Sequence, residues 1–426
     1  MEQYRNYRDS GFVWLGDIPS HWEMRKVKHY YTFYTGWTPP SGKNEYYEGE
    51  NLWANISDLK GKYISETTNY ISDEAVQNSK LKKSSKGSLF FSFKLSIGTV
   101  AFCAEEMYTN EAIATFTDTE DKLKFLYYSA PVYIVNNAKT NIYGAPLLNQ
   151  DLINNAYIVF PPKEEQAAIV EYLDRITLEI DKFILQLEQQ QESMEKYKRE
   201  LIANAVTKGV KKNTPMKDSG VDWMGDVPQH WNVTKMKWMF EIVKRIYGAE
   251  DRDVLSITQH GIKIKDIDSN DGQLAESYAN YQVVNVNDFA MNSMDLLTGW
   301  VDCSPYEGVT SPDYRVFRFH QDKPQCHSYY KYLFQMCYTN RIFYRLGQGV
   351  SNLGRWRLQA DQFLNIRLPQ PPVEEQEQIA AYLDTKVGQI EELTVDIKAQ
   401  IEKLKEYRKI VIHDAVTGKI KVTEGE

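Results

Sequence analysis

Ser10-Gly11-Phe12-Val13-Trp14-Leu15-Gly16-Asp17-Ile18-Pro19-Ser20-His21-Trp22 returns 209 residues later as Ser219-Gly220-Val221-Asp222-Trp223-Met224-Gly225-Asp226-Val227-Pro228-Gln229-His230-Trp231. Pro161-Pro162-Lys163-Glu164-Glu165-Gln166 returns as Pro371-Pro372-Val373-Glu374-Glu375-Gln376, at an offset of 210. The same offset carries Tyr172-Leu173-Asp174 to Tyr382-Leu383-Asp384 and Ala205-Val206-Thr207 to Ala415-Val416-Thr417. Four matches at a near-constant offset define an internal repeat. The layout is A–B–A′–B′, with A at 1–160, B at 161–212, A′ at 213–370 and B′ at 371–426.

The B segments read as long helices. Each Pro-Pro stops what precedes it, and the following Glu-Glu suits the positive end of a helix dipole. In B, Ile169, Leu173, Ile176, Ile180, Phe183, Leu187, Gln190, Met194, Tyr197 and Leu201 alternate spacings of four and three. In B′ the same frame gives Ile379, Leu383, Lys386, Ile390, Leu393, Ile397, Gln400, Leu404, Tyr407 and Val411. An a/d seam sustained over four heptads predicts a coiled coil. Ile169 to Ala205 would rise about 54 Å at ~1.5 Å per residue. Gln190 and Gln400 fall at equivalent seam places and read as solvated positions rather than polar register pins.

The A segments mix strands and helices. Ser88–Phe93, Tyr157–Phe160 and Tyr314–Phe319 carry β-branched and aromatic residues between turn signals. Asp121–Asn137 and His327–Arg345 read as helices with Tyr and Phe on one face. The expected fold class is α+β: two α+β domains, two long coiled-coil helices, and a pseudo-twofold repeat that sets those helices antiparallel. Between their shared opening and closing stretches A and A′ match poorly, a common frame around divergent interiors.

Composition bounds the function. The chain has 426 residues, 42% hydrophobic and 25% charged, with 50 Lys+Arg against 58 Asp+Glu. That balance is ordinary for a globular protein. No apolar run approaches the ~18 residues of a membrane span, and the opening residues lack a signal-peptide core, so the cytosol is the expected compartment. Cys103, Cys303, Cys326 and Cys337 form no CxxC pair. Phosphate-loop, dinucleotide, zinc-protease and nucleophile-elbow motifs are all missing. Neither Asp-Pro-Pro-Tyr nor Asn-Pro-Pro-Tyr, which hold the target amine of amino-methylating enzymes, occurs. Asp58-Leu59-Lys60, with Glu48 and Glu50 upstream, has a nuclease-like spacing that exposed loops produce constantly. His21 and His230 read as packing corners.

The formal charge of −8 discourages a nucleic-acid partner only as a sum. Residues 75–104 hold Lys80, Lys82, Lys83, Lys86 and Lys94, and 314–360 hold Arg315, Arg318, Lys323, Lys331, Arg341, Arg345, Arg355 and Arg357 against Asp322. Gly347 to Arg357 mixes glycines, amides and arginines; Arg suits guanine and phosphate, and Asn or Gln suits adenine.

Taken with the layout, several motifs resemble the specificity subunits of type I restriction–modification systems over essentially the whole length. They are Trp14–Trp22 and its copy, Thr35-Gly36-Trp37-Thr38-Pro39, Ser92–Gly98 with Tyr108–Ile113, Gly308–Tyr314, and the Pro-Pro-x-Glu-Glu-Gln helix starts. Trp37 and Glu111 depart from the usual Gly and Gln. The resemblance implies two target-recognition domains, each reading one half of an asymmetric bipartite DNA target, with the helix pair as a ruler. It implies as partners double-stranded DNA, two modification subunits, and restriction subunits acting as ATP-dependent translocase and nuclease. S-adenosylmethionine, ATP and Mg2+ are then expected in those partners, with no catalytic residue, metal or cofactor in this chain. Candidate DNA contacts are Lys43, Asn44, Asn55, Lys60, Lys94, Ser96, Lys139 and Asn141 in A, and Arg341, Arg345, Ser351, Asn352, Arg355 and Arg357 in A′. Alternatives from other classes are a self-contained restriction endonuclease or methyltransferase, and a coiled-coil scaffold.

Overall fold

The computed structural model describes residues 3–140, 144, 146–267, 275, 277–320, 325–348 and 356–422. The chain divides into two compact units, residues 1–187 with 400–426, and residues 188–399.

Unit 1 is built on a five-stranded sheet of β1 (Thr32–Thr35), β2 (Tyr63–Ile64), β3 (Leu89–Ser92), β4 (Val100–Cys103) and β5 (Ile113–Thr117), in the order β1-β5-β3-β4-β2. Thr35 pairs with Ala114, Ile113 with Ser92, and Phe91 with Val100. Helix α1 (Glu120–Tyr133) follows, and helix α2 (Lys163–Lys208) begins after Pro162. In unit 2 the sheet is β6 (Phe240–Val243), β7 (Phe289–Met291), β8 (Val301–Cys303) and β9 (Arg315–Phe319), followed by α3 (His327–Thr339) and α4 (Val373–Val416). Its order is β6-β9-β7-β8, the pattern of β1-β5-β3-β4. The divergent interiors thus conceal one sheet topology. The expected single helix over His327–Arg345 is broken, because Arg341 takes a left-handed φ of 57° and a separate turn, Ile342–Arg345, follows.

The shared stretches close each domain and bind it to the start of a long helix. Glu23–Lys26 pairs antiparallel with Tyr157–Phe160, and Asn232–Lys235 with Arg367–Gln370, bringing each domain's beginning to its end just before the Pro-Pro. The Gln166 side chain then donates to the Pro161 carbonyl at 2.7 Å, and Gln376 to the Pro371 carbonyl at 2.9 Å. Trp22 and Trp231 are fully buried, and their indole N–H groups donate to Glu165 and Glu375 at 2.9 and 3.0 Å. His21 and His230 reach the same carboxylates at 2.7 Å, which makes both His-Trp pairs anchors of a helix start. Partial burial works to raise the Glu165 pKa, but hydrogen bonds from Trp22, His21 and Tyr4 hold it below the ordinary carboxylate range. Two further contacts repeat: the Tyr133 hydroxyl donates to the Val416 carbonyl and the Tyr329 hydroxyl to the Val206 carbonyl, both at 2.8 Å.

Within each unit the two long helices run antiparallel. In unit 1, Ile169 and Leu173 share a core with Val411 and Ala415, and Asp181 takes both guanidinium contacts of Arg408 at 2.9 and 3.2 Å. In unit 2, Ala205 shares a core with Ile379 and Leu383, and Lys198 donates to Glu391 at 3.1 Å. The 210-residue offset carries Asp181 to Glu391 and Lys198 to Arg408, so the two ion pairs are one interaction written twice.

The buried stripe corrects the heptad frame. Ile169, Leu173, Ile180, Ile379, Leu383, Ile390, Ile397 and Val411 are buried, and Leu187, Met194, Leu201 and Leu404 half-buried. Their alternates, however, are Thr177, Ile184, Gln191, Lys198 and Ala205 on α2, and Val387, Thr394, Ile401, Arg408 and Ala415 on α4. Each lies one residue later than expected. Phe183, Gln190, Tyr197, Lys386, Leu393, Gln400 and Tyr407 are exposed, so neither glutamine belongs to the seam. Buried Thr177 and Thr394 are accommodated by donating back to the Leu173 and Ile390 carbonyls at 2.6 and 2.8 Å.

Candidate nucleic-acid interface

The antiparallel pairings bring three ends together at one edge of the unit 1 sheet: the end of β1, the β3–β4 turn, and the approach to β5. Gly36 follows β1 with no room for a side chain, since a Cβ there would meet the Thr109 carbonyl, and the Trp37 amide donates to that carbonyl at 3.0 Å. Thr38 then donates to Glu111, which also faces Lys94 at 3.6 Å, while Asn110 reaches Asn55 at 3.3 Å and Gln150 reaches Thr35 at 2.9 Å. Thr38, Lys94 and Glu111 therefore form one cluster, with Ser96 in the same β3–β4 turn as Lys94. Partial burial favours protonation of Glu111, yet the Thr38 hydrogen bond and the Lys94 charge hold its pKa below the usual range.

The other candidates of this unit divide. Lys43 is exposed and donates to the Tyr46 hydroxyl at 3.0 Å, with Asn44 and Lys60 exposed nearby in sequence and Lys139 exposed on a two-residue strand. Asn55 is half-buried and begins the short helical turn Ile56–Asp58, its amide donating to Asp58 at 2.8 Å. Asp58 also accepts from the Thr68 amide and hydroxyl at 3.1 and 2.6 Å, so the Asp-x-Lys carboxylate staples a loop. Asn141, Ser351, Asn352 and Arg355 lie outside the described residues. Among the described residues no group of three or more His, Cys, Asp or Glu is placed to hold a metal ion.

Acids distant in sequence complete most of the basic run in unit 1. Lys83 and Lys86 pair with Glu106 and Glu105 at 3.3 and 3.7 Å, and Lys82 sits 4.2 Å over the Tyr34 ring. Unit 2 differs. Arg318 pairs with Glu241 at 2.7 Å, and Arg315 turns inward, donating to the Leu358 carbonyl at 2.6 Å and lying over Phe363. Burial pushes the Arg315 guanidinium down to about 10. Arg341, Arg345 and Arg357 are exposed, and no carboxylate among the described residues pairs with them. They lie by the corresponding edge of the second sheet. Tyr338, at the end of α3, donates to the Asn292 carbonyl, the Leu358 amide donates to Ser293 at 3.2 Å, and Gln348 and Arg357 exchange backbone hydrogen bonds at 2.9 and 3.1 Å. The same corner of the same sheet thus carries Lys, Thr, Asn and Glu in one unit and, in the other, Arg that no carboxylate among the described residues pairs with.

A family model described as "Type I restriction modification DNA specificity domain" matches residues 19–190 and 228–403, one copy for each repeat. The MjaVIII specificity subunit of a type I restriction enzyme, from Methanocaldococcus jannaschii, is 22% identical over 427 residues, spanning 95% of this chain and 94% of its own. The MjaIX specificity subunit from the same organism is 27% identical over 197 residues, a match that spans 45% of each chain. A chain in a solved structure concerned with complex assembly and conformational transition of the type I R-M system superposes with a TM-score of 0.68 at 14% identity. That superposition covers 95% of this chain and 99% of the other, and it extends the likeness to the fold. Two matched copies, a repeated sheet and a repeated helix anchor agree: the chain belongs to the family of type I restriction–modification specificity subunits, whose domain is described by DNA specificity rather than by catalysis.

Proposed function

We propose that this chain is the DNA-recognition subunit of a type I restriction–modification complex, each unit reading one half of an asymmetric bipartite target. One observation carries the reading: the frame is duplicated in detail, from the anchored tryptophans to the sheet order, while the loops at one sheet edge differ in chemistry. Duplicated frames suit the twofold symmetry of the DNA backbone, and unlike loops suit unlike half-sites. Methyl transfer from S-adenosylmethionine, and ATP- and Mg2+-dependent translocation and cleavage, belong in this reading to modification and restriction subunits. Arg341→Ala with Arg345→Ala and Arg357→Ala should make the negative slope of log affinity against log salt shallower by about 1 for each phosphate left without its cation. Titrating duplex binding by the complex between 50 and 200 mM salt, a range of roughly fourfold, measures it. A pure coiled-coil scaffold would leave affinity and slope unchanged.

The helix pair would also dock the modification subunits. Phe183, Leu185 and Tyr197 on α2 are exposed, and so are their repeat counterparts Leu393, Val395 and Tyr407 on α4. Unit 1 therefore presents Phe183 and Leu185 with Tyr407, and unit 2 presents Leu393 and Val395 with Tyr197. Large apolar side chains left outside the seam and repeated at the repeat offset fit two copies of one partner. Phe183→Glu with Leu185→Glu should reduce the bound modification subunits from two to one, and adding Leu393→Glu with Val395→Glu should remove the second. Native mass spectrometry counts them; undiminished stoichiometry would place the docking surface elsewhere.

A further inference from the structure

Two exposed leucines stand at matching places in the two units. Leu95 is 91% exposed in the β3–β4 turn, and Leu297 is 54% exposed in the β7–β8 turn, the topologically equivalent connection. Sequence comparison does not find the pair, because the turns read Phe93-Lys94-Leu95-Ser96-Ile97-Gly98-Thr99 and Asn292-Ser293-Met294-Asp295-Leu296-Leu297-Thr298-Gly299-Trp300. Leu95 has a φ of 57°, left-handed backbone that glycine or asparagine adopts far more readily than leucine. An exposed side chain there contributes nothing to the core, so turn geometry and burial both argue against leucine at this place.

Both turns are nevertheless locked. In the first, Gly98 N–H donates to the Ser92 carbonyl at 2.9 Å, Ile97 N–H to the Leu95 carbonyl at 2.8 Å, and the Ser92 and Thr99 hydroxyls both donate to the Ser96 carbonyl. In the second, Asp295 accepts from the Leu297 and Thr298 amides at 3.0 Å and from the Thr298 hydroxyl, and Asn292 accepts from Met294 and Asp295 at 3.1 and 3.2 Å. Each unit thus holds one apolar tip in place before any partner arrives, which removes an ordering cost from binding. The neighbours indicate the partner. Lys94 and Ser96 flank Leu95, and Ser293 of the second turn bonds to the segment that carries Arg357. The Lys94 and Arg357 cations suit a phosphate backbone beside the tips, while Glu111 faces Lys94 at 3.6 Å and the Asp295 carboxylate is taken up by the amides of its own turn. On a duplex the apolar group offered by a base edge is the thymine C5-methyl of the major groove.

We propose that Leu95 and Leu297 each contact a thymine methyl group, one in each half-site, and so act as specificity-determining residues. The inference rests on the recognition reading above and names two contacts within it. Its test uses the chain assembled with its modification subunits and a duplex of the recognised sequence, in which each thymine is replaced singly by uracil. Uracil removes the methyl alone. One position in each half-site should lose about fourfold in affinity, the worth of one methyl-sized group. Leu95→Gly, a replacement that the left-handed turn favours, should abolish the uracil effect in one half-site and leave the other intact; Leu297→Ala should do the converse. Uracil without effect at every position, or an effect that survives the leucine substitutions, would overturn the proposal. So would leucine variants that lose only the modification subunits, which would make the tips protein contacts. Failure of the native complex to distinguish the recognised duplex from an unrelated one would instead overturn the recognition reading beneath it.

Discussion

Adding or removing three base pairs between the half-sites should reduce the complex's affinity for its target to that for unrelated DNA, a loss on the order of 10³-fold or more. A duplex advances about 34–36 Å over 10–10.5 base pairs, so three pairs displace one half-site by roughly 10 Å and rotate it by about 100°. Each reading loop would then face backbone instead of its base edges. Within each unit the register of the two helices is marked by paired side chains. Asp181 holds Arg408 in unit 1, and the equivalent Glu391 holds Lys198 in unit 2. A slip by one turn would break these pairs and bring buried Thr177 and Thr394 against new neighbours. Competition binding with duplexes differing only in gap length checks the expectation. Specific binding that tolerates every gap would remove the ruler and leave two independent readers.

The repeat made the architecture legible, because its matches coincide with interactions that cannot vary separately. Pro-Pro-x-Glu-Glu-Gln survives in both halves because the glutamine caps its own helix start and the second glutamate receives the Trp and His of the domain's opening. The heptad frame was half legible. Ile180, Leu187, Ile390 and Ile397 are on the stripe, but their alternates were misplaced by exposed aromatic and leucine side chains one position earlier. Phe183, Tyr197, Leu393 and Tyr407 are apolar and outside. Lys198 and Arg408 are charged and inside, lying along the seam on their methylene stems and ending in ion pairs. Hydrophobicity alone assigns all six to the wrong side.

Contact residues were least legible, since whether a cation is free depends on acids far away in sequence. Residues 75–104 contain no acid, yet Glu105, Glu106 and Glu111 return to Lys86, Lys83 and Lys94 through the fold. In 314–360 the converse sorting occurs: Arg315 and Arg318 are absorbed by the domain, while Arg341, Arg345 and Arg357 stay outside. The shared strand order of the two sheets had no sequence signal. Buried aromatic and aliphatic residues can exchange places while the pairing persists, so Phe90 and Phe91 in one unit answer to Ala290 and Met291 in the other.

Trp231→Ala should destabilise unit 2 by about 3–5 kcal/mol, the range for removing a large aromatic side chain from a core. For a domain of this size that lowers the midpoint of thermal unfolding on the order of 10 °C. The effect should exceed a simple cavity, because the indole also donates to Glu375, which is itself buried and joins the opening corner to the first turn of α4. Glu375→Leu should cost about 1–3 kcal/mol by leaving a buried indole N–H without an acceptor. The two substitutions should then be non-additive, since either one alone breaks the same link; a coupling of about 0.5–3 kcal/mol is expected from a double-mutant cycle in urea. Trp22 and Glu165 offer a comparison within the same chain. Glu165 is more exposed than Glu375, so water can replace part of what its loss removes, and the equivalent cycle in unit 1 should give a smaller coupling. Vanishing coupling in both units would mean that the repeated corner fills space without fastening the helix, and equal non-zero coupling that the exposure of Glu165 does not weaken its bond. A larger value in unit 2 would identify the Trp–Glu bond as the fastening between each domain's opening corner and the first turn of its long helix.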